Sequence, residues 1–248
     1  GIKGSDLEKL NTALAQVSVK NHANASKNKY AQFQRKITVE QVINARKAAN
    51  KSLGLYDFAP ISDGASALIL TNEEVANKMT NRPIYVLACG AATDYLNYPA
   101  REDLSRFIAA ELAMKSAFEM SKVAASNLRV LEVNDQSTVM EMISLEDLGL
   151  CSHGTAWKNI YESYLNGRNS YDFSGNEVYV NTDGGLKANG NPLGATGGAQ
   201  FYEIYRQLRG EAGERQIKIE CNQKCGGVLE FEGFGTKAYA TILGDRSN

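Results

Sequence analysis

Short apolar runs alternate along this chain with longer segments whose apolar residues recur at helical spacing. The runs that predict strands are 64–70, 84–91, 128–133, 177–181, 216–221 and 237–243. The segments that predict helices are 5–20, 38–48, 72–79, 104–125, 137–148 and 199–209. Strands that alternate with helices indicate an α/β protein whose sheet is covered by helices.

Length and charge narrow the class of protein further. The chain has 248 residues, enough for one large domain or two small ones, with 27 basic and 28 acidic side chains. A net charge this close to zero argues against a protein that binds nucleic acids or membrane surfaces, because such proteins usually carry an excess of basic residues. No apolar run approaches the roughly 20 residues that span a bilayer, and the first residues show no signal-peptide pattern, so we expect a cytoplasmic protein.

The cysteines predict neither a disulfide scaffold nor a metal site. The chain contains Cys89, Cys151, Cys221 and Cys225, which are too sparse for a disulfide-rich secreted domain. Cys221 and Cys225 stand four apart with no second cysteine or histidine pair nearby. A zinc site is therefore not expected.

A polar segment rich in Asn and Lys follows the first helix, at 21–37. Its few apolar residues predict an exposed connection that runs over the surface. It contains His22, and the chain's other histidine, His153, follows a predicted helix. Each histidine is isolated in the sequence, so we expect both at the surface and neither in a catalytic triad.

The glycine-rich stretch 183–198 leads into the last predicted helix. Glycine permits positive φ angles and a close approach of backbone to ligand, so the stretch could face a ligand at a helix N-terminus. It lacks the Lys-Ser/Thr of a phosphate-binding P-loop and the glycine spacing of a dinucleotide fold. The alternative is an ordinary tight loop.

Polar residues follow the predicted strand 128–133, in the order Asn134, Asp135, Gln136 and Ser137. Ligand groups collect at the carboxyl ends of strands in α/β sheets, which makes these side chains candidates for a site. They could equally cap the next helix.

Cys225 precedes two glycines near the C-terminus. Such a cysteine can sit exposed on a turn, where its thiolate can react. A small buried residue at a turn is the alternative.

Four segments in order resemble the C-terminal part of the thiolase superfamily, most closely its sterol-carrier-protein-like and archaeal acetyl-CoA acetyltransferase branch. The segments are LYDFAPISDGASALIL, EVNDQSTVMEMISLEDLGLCSHGTA, VNTDGGLKANGNPLGATGGAQFYEIYRQLRGEAGERQ and NQKCGG. The loop-like VSVKNHANASKNKYAQF is similar to the same family. The resemblance spans nearly the whole chain and implies the C-terminal half of a layered α-β-α-β-α fold.

The resemblance implies Claisen chemistry on coenzyme A thioesters, with no covalently bound cofactor. In the family a cysteine takes an acyl group and a second acyl-CoA loses a proton from its α-carbon. Carried over by position, Asn134 matches a residue that orients a water in an oxyanion hole, and Cys225 matches the cysteine that acts as acid and base. Asn191 stands where the family has the histidine of Gly-His-Pro. The residues that the resemblance assigns to substrate binding are Gly190, Pro192, Gly194, Gly226 and Gly227.

The family's nucleophile lies in an N-terminal half that has no counterpart here. We therefore expect residues 1–81 to be a remainder of that half and 82–248 to be the C-terminal domain. The fold would be incomplete without another segment or chain that carries the nucleophile. The resemblance also implies a dimeric or higher assembly and suggests a small subunit with a zinc ribbon and an OB-like domain. A thiolase-like subunit that only binds acyl-CoA, or supports an active partner, is the alternative function.

Overall fold

The computed structural model describes residues 3–219 and 225–245 and shows a mixed α/β architecture. The helices are α1 Ser5–Ala25, α2 Val39–Ala48, α3 Glu73–Met79, α4 Ile108–Ser121, α5 Thr138–Asp147, α6 Ala156–Leu165, α7 Gly185–Ala188 and α8 Thr196–Arg209. The strands are β1 Tyr85–Thr93, β2 Leu128–Val133, β3 Tyr171–Phe173, β4 Asn176–Val180, β5 Cys225–Glu232 and β6 Lys237–Gly244. The α/β prediction is confirmed.

The six strands form one sheet in the order β1-β6-β5-β2-β4-β3. Strand β2 runs parallel to both of its neighbours, β4 and β5, and the remaining pairs are antiparallel. The carboxyl ends of β2, β4 and β5 therefore meet at one edge of the sheet. That edge is where ligand sites form in α/β proteins.

Helices cover both faces of the sheet. On β5, Val228 packs with Ile204 of α8, whereas the next residue, Leu229, packs with the alanines of α4. Successive strand residues point to opposite faces, so α8 and α4 lie on opposite sides. Helix α4 lies against β1 and β6, and its approach is so close that a Cβ at Gly90 would lie 1.9 Å from the Ala113 carbonyl oxygen.

Local signals explain several helix ends. Thr38 and Gln41 form a capping box at the start of α2. Asn72 accepts a hydrogen bond from the Val75 amide at the start of α3, and Ser137 accepts one from the Met140 amide at the start of α5. Gly210, with φ 72°, ends α8 in the left-handed conformation that glycine tolerates.

Among the described residues, the apolar run 64–70 forms no strand, so the prediction of a buried strand there is wrong. Its side chains are exposed instead, with Ile69 at 89% and Leu70 at 69% relative exposure. Nearby Ile61 and Met79 are exposed as well, at 99% and 70%. A group of apolar side chains with such high exposure more often marks a surface that contacts a partner than a surface that faces solvent.

The prediction of an exposed connection over 21–37 is also wrong in its first part. Helix α1 continues to Ala25, and Asn21, His22 and Asn24 are buried. These polar side chains can be buried because each has a hydrogen-bond partner: Asn21 and Asn24 bond to distant parts of the chain, and His22 lies 3.1 Å from the Arg35 carbonyl oxygen. His22 is therefore not at the surface, and only His153 is partly exposed.

The C-terminal strand predictions are correct only in part. Strand β6 agrees with the run 237–243. The described part of 216–221, up to Ile219, forms no strand, and Cys221 lies outside the described residues. Among those residues, no helix is long and apolar enough to cross a membrane.

Candidate functional site

Asn134 occupies the first position after β2. Its Oδ1 accepts a hydrogen bond from the Gln136 amide at 3.0 Å, and its Nδ2 donates to Glu230 Oε1 on β5 at 2.5 Å. The cap of α5 is Ser137, so Asn134 is not used to begin that helix. The Asn134 side chain is therefore held across the carboxyl ends of two parallel strands.

Glu230 and Gln200 add unpaired polar atoms to the same place. Within residues 3–219 and 225–245, Glu230 Oε2 and both polar atoms of the Gln200 amide are buried without a hydrogen-bond partner. Gln200 lies beside Glu230, and a Cβ at Gly197 would lie 4.0 Å from the Glu230 Cγ. Burial raises the pKa of the Glu230 carboxyl to about 7. Polar atoms left unpaired in a native interior call for a specific explanation.

The glycine-rich stretch reaches this cluster through Asn191 and the first turn of α8. The Thr196 hydroxyl donates to Asn191 Oδ1 at 2.9 Å, and the Asn191 amide donates to the Ser62 hydroxyl oxygen at 3.0 Å. A cleft of about 510 Å³ lies here, lined in part by Ser62, Gly190, Pro192, Thr196 and Gln200. The stretch is thus a wall of a cleft, as its ligand-facing interpretation requires.

The predicted binding residues of this stretch differ in their surroundings. Gly190 has φ 128°, and a Cβ there would lie 2.9 Å from the Ser62 hydroxyl oxygen, so a side chain would crowd the cleft. Pro192 lies on the cleft wall. Gly194 is exposed, with open space where a Cβ would be, and it is not among the cleft-lining residues.

A buried ion network supports the segment that carries Asn134. Asp135 accepts hydrogen bonds from the Asn21 amide at 2.6 Å and the Leu186 backbone amide at 2.6 Å. Lys20 lies 3.2 Å from Glu141, and both side chains are fully buried. Burial, followed by the charge of Glu141, raises the pKa of Asp135 to about 8. The network ties α1, the loop after β2 and α7 together.

A second cleft, of about 470 Å³, lies on the other side of the segment 58–60. Apolar and aromatic side chains form most of its wall, among them Phe33, Tyr56 and Phe58. Its cationic side chains are Arg35, Lys51 and Lys187. The Ala59 amide donates to the Gln136 carbonyl oxygen at 2.9 Å, so the wall of this cleft is bonded to the loop that carries Asn134.

His22 also lines this second cleft, where it stacks on Phe33 at 5.9 Å between ring centroids. Its Nδ1 lies 3.1 Å from the Arg35 carbonyl oxygen, which only accepts, so the neutral ring donates there. Burial lowers the pKa of His22 to about 4. The ring is therefore neutral at pH 7 and is not a source of protons.

We expect His22 to make the fold less stable in acid. An unfolded His22 binds a proton below pH 6.5, whereas the folded one binds it only near pH 4. Stability is therefore lost as the pH falls through this window, by about 3 kcal/mol for a shift of this size. His22→Asn, whose amide can donate to the same carbonyl oxygen, should lose correspondingly less between pH 6.5 and pH 4. Urea unfolding across that range measures it, and parallel curves for the two proteins would contradict it.

The structure does not bring Cys225 to the Asn134 cluster. Cys225 begins β5 and is in register with Leu128, at the opposite end of β2 from Asn134. Burial raises the pKa of its thiol, which is the reverse of activation. Gly226 and Gly227 lie in the strand and not on a turn, and a Cβ at either would collide with Ile204 or Leu131. These two glycines serve close packing.

Sequence reasoning missed Glu230 and Gln200. Glu230 alternates with apolar residues in VLEFE, which is the pattern of a strand residue that faces the other way. That pattern is typical of a strand such as β5, whereas Cys225-Gly226-Gly227 at its start is typical of a turn. Nothing in the sequence shows that Gln200 faces Glu230. In the described part of the chain, no group of three or more His, Cys, Asp or Glu side chains is placed to hold a metal ion.

Comparison with known proteins agrees with this architecture. An acetyl-CoA acetyltransferase of Methanothermobacter thermautotrophicus is 42% identical over 83% of this chain and 51% of its own length. One from Methanocaldococcus jannaschii is 37% identical over 94% of this chain and 58% of its own. Sterol carrier protein 2 of Gallus gallus is 35% identical over 82% of this chain and 37% of its own. The chain thus spans about half the length of the acetyltransferases.

A solved structure and a family model complete the comparison. The structure named Ltp2-ChsH2(DUF35) aldolase superposes with a TM-score of 0.77 over 96% of this chain and 59% of its own, at 22% identity, which establishes a shared fold. The model described as "Thiolase C-terminal domain-like" matches residues 90–245, more than half of the sequence. The resemblance noted in the sequence is confirmed, and the chain belongs to the thiolase C-terminal domain-like family.

Proposed function

We propose that this chain is part of a thiolase-type acyltransferase that acts on acyl-CoA or 3-oxoacyl-CoA thioesters. The observation that carries the proposal is the cleft at the start of α8, where Thr196 is bonded to Asn191 and the cleft-lining Gln200 lies beside Glu230, the partner of Asn134. The similarity to archaeal acetyl-CoA acetyltransferases supports the same class of substrate. The reaction is Claisen condensation or its reverse, thiolytic cleavage.

The side-chain amides of Asn134 and Asn191 are suited to stabilise the negative charge that develops in this reaction. Removal of an α-proton, or attack on a thioester carbon, places negative charge on the thioester oxygen, which preorganised donors stabilise. Either amide could donate to that oxygen. Asn191 cannot exchange a proton near neutral pH, so in our proposal it binds and orients the thioester and does not act as a base.

The second cleft fits the coenzyme arm of the thioester. Its apolar walls suit the aliphatic part, and Arg35 and Lys51 are exposed cations that could meet phosphates. Lys187 lies deeper, donates to the Phe58 carbonyl oxygen, and has its pKa lowered to about 8 by burial. The cleft adjoins the loop that carries Asn134, as an extended thioester requires.

We expect Arg35→Ala/Lys51→Ala to weaken acetyl-CoA binding by about 10- to 100-fold, because two phosphate contacts of about 1 kcal/mol or more are removed. The matched control is Lys36→Ala/Lys47→Ala, which removes the same charge from exposed positions outside the cleft. Isothermal titration calorimetry on the native assembly measures both. Failure of the wild-type protein to bind coenzyme A or acetyl-CoA would overturn the proposed function.

The nucleophilic cysteine comes from another segment or a partner chain in this proposal. The cysteines that the structure describes, Cys89, Cys151 and Cys225, are not among the residues that line the two clefts. The exposed apolar run 64–70 offers a surface for such a segment. Native mass spectrometry with identification of each chain tests the partner, the oligomeric state and the cytoplasmic assembly we expect. We include a small DUF35-type subunit among the partners to be tested, because the name of the solved structure joins Ltp2 to ChsH2(DUF35).

The alternative is a subunit that binds acyl-CoA without catalysis. Asn191 favours it, because an asparagine at that position removes a proton-transferring group. Acetoacetyl-CoA cleavage by the purified assembly separates the two functions. Binding without cleavage in the wild type, with cleavage gained by Asn191→His, would support the non-catalytic alternative.

A further inference from the structure

The Asn134 cluster contains a carboxyl group whose placement has no structural explanation. Glu230 projects from β5, and its Oε1 accepts the Asn134 amide at 2.5 Å, but its Oε2 has no partner among the described residues. Glu132 Oε2 and Asp147 Oδ1 are likewise buried without a hydrogen-bond partner among the described residues, whereas the other buried carboxylates are bound on both oxygens or paired with a cation. Asp57, for example, is paired with Arg46 at 2.6 Å and accepts the Gly54 amide.

Gln200 makes the arrangement more specific. Its amide is buried at 2% exposure and lies beside Glu230, yet its Nε2 and Oε1 are unpaired within the described chain. Gln200 also lines the cleft whose wall includes Gly190 and Thr196, and Thr196 is bonded to Asn191. The two unpaired amide atoms of Gln200 on the cleft wall, with Glu230 Oε2 beside them, form a set of hydrogen-bonding groups that a polar ligand could satisfy.

We propose that Glu230 is the acid and base of this site, which removes and returns the α-proton of a coenzyme A thioester. The inference rests on the proposed function and assigns to Glu230 the proton transfer that the family resemblance placed on Cys225. Glu230 Oε2 is unpaired among the described residues and lies beside the cleft-lining Gln200, whereas Cys225 lies at the far end of the strand.

The step balances without any further reactant. Glu230 as a carboxylate takes the proton, its O–H bond forms, and the α-carbon–hydrogen bond breaks. The electron pair of that bond moves into the thioester carbonyl to give an enolate, whose oxygen the amides of Asn134 and Gln200 can stabilise. In the reverse direction, the Glu230 carboxylic acid returns the proton to the carbanion and becomes a carboxylate again.

The surroundings of Glu230 suit this task. The polar side chains that face it are Asn134 on β2, Gln200 on α8 and Tyr239, its register partner on β6. Lys237 is paired with Glu232, and the buried Glu132 and Glu203 belong to a separate cluster with Asp183 and Arg215. With no cation paired to it in the part of the chain that the structure describes, a desolvated carboxyl titrates near neutral pH, where one group can both accept and donate a proton.

Deuterium incorporation into acetyl-CoA tests the assignment directly. The native assembly is incubated with acetyl-CoA in D₂O, and exchange at the methyl group is followed by mass spectrometry. We expect Glu230→Gln to slow exchange by about 100- to 10 000-fold while acetyl-CoA affinity changes by less than about threefold. Glu230→Asp should retain part of the rate. In the wild type the rate should rise with pH and level off above about 7, an inflection that the Gln variant lacks.

The matched control is Glu232→Gln, two residues along the same strand, whose side chain is exposed and paired with Lys237. It should leave exchange unchanged, as should Cys225→Ser. Exchange within tenfold of wild type in Glu230→Gln, or an equal loss of binding and exchange, would overturn the role of Glu230. A wild-type assembly that binds acetyl-CoA but never exchanges its protons also overturns it, and leaves only the binding function. A wild type that does not bind acetyl-CoA overturns the proposed function and this inference together.

Discussion

Lys20→Met is expected to destabilise the fold by about 3–5 kcal/mol, the usual cost of breaking a buried ion pair by removal of one partner. Lys20 and Glu141 are both fully buried and lie 3.2 Å apart. Lys20 also donates to the Val180 carbonyl oxygen at 2.6 Å. Loss of the ammonium group would leave the Glu141 charge in the interior beside Asp135, with no cation to balance it.

Chemical denaturation followed by circular dichroism measures this effect. Lys9→Met is the matched control on the same helix, because Lys9 forms an exposed pair with Asp6 and should contribute less than about 1 kcal/mol. The double variant Lys20→Met/Glu141→Gln should recover much of the loss, since both charges are then gone. A single variant as stable as Lys9→Met would show that Lys20 is not a counter-charge.

The same network also limits what the sequence could predict. Helical periodicity predicts the start of α1 correctly but not its end, because Asn21 and Asn24 look like surface residues until their distant partners are known. Such partners lie more than a hundred residues away, and no local pattern specifies them. The strands β1, β2, β4 and β6 were predictable because their apolar runs pair with other strands of the same sheet.

The prediction for the run 64–70 was wrong for a different reason. Its composition is that of a buried strand, and the described chain provides nothing to bury it. The sequence pattern predicts that these residues are suited to burial. The structure shows only the contacts that this chain itself makes with them. In our proposal another segment or chain covers this surface, which would explain why an apolar run is exposed there.

The order of motifs in the sequence locates the candidate site residues along the chain, but it does not show which of them meet in the fold. Asn134 is bonded to Glu230 at the end of β5, and Asn191 is bonded to Thr196 at the start of α8; that both act in one site stays a prediction. Cys225 lies at the opposite end of β2 from Asn134, because a motif match on the sequence cannot establish which end of a strand a residue occupies. Glu230 lies five residues later on the same strand, at the end that meets Asn134.

Gly185→Ala is expected to destabilise the fold by about 2–4 kcal/mol and to weaken acetyl-CoA binding. Gly185 has φ 62°, which costs an alanine about 1–2 kcal/mol, and a Cβ there would lie 2.4 Å from Asp135 Oδ2. Overpacking of this kind adds about 1–3 kcal/mol. Asp135 must move to relieve the contact, and Asn134, its neighbour in the chain, would move with it.

Gly194→Ala is the matched control in the same glycine-rich stretch. Open space surrounds the site of its Cβ, so its stability should stay within about 0.5 kcal/mol of wild type. Urea unfolding and calorimetric titration with acetyl-CoA measure both variants. If Gly185→Ala unfolds like Gly194→Ala, then Asp135 has room to shift and does not fix the loop. If it is destabilised but binds acetyl-CoA normally, the position of Asn134 does not depend on Asp135, and the link between the ion network and the site is removed.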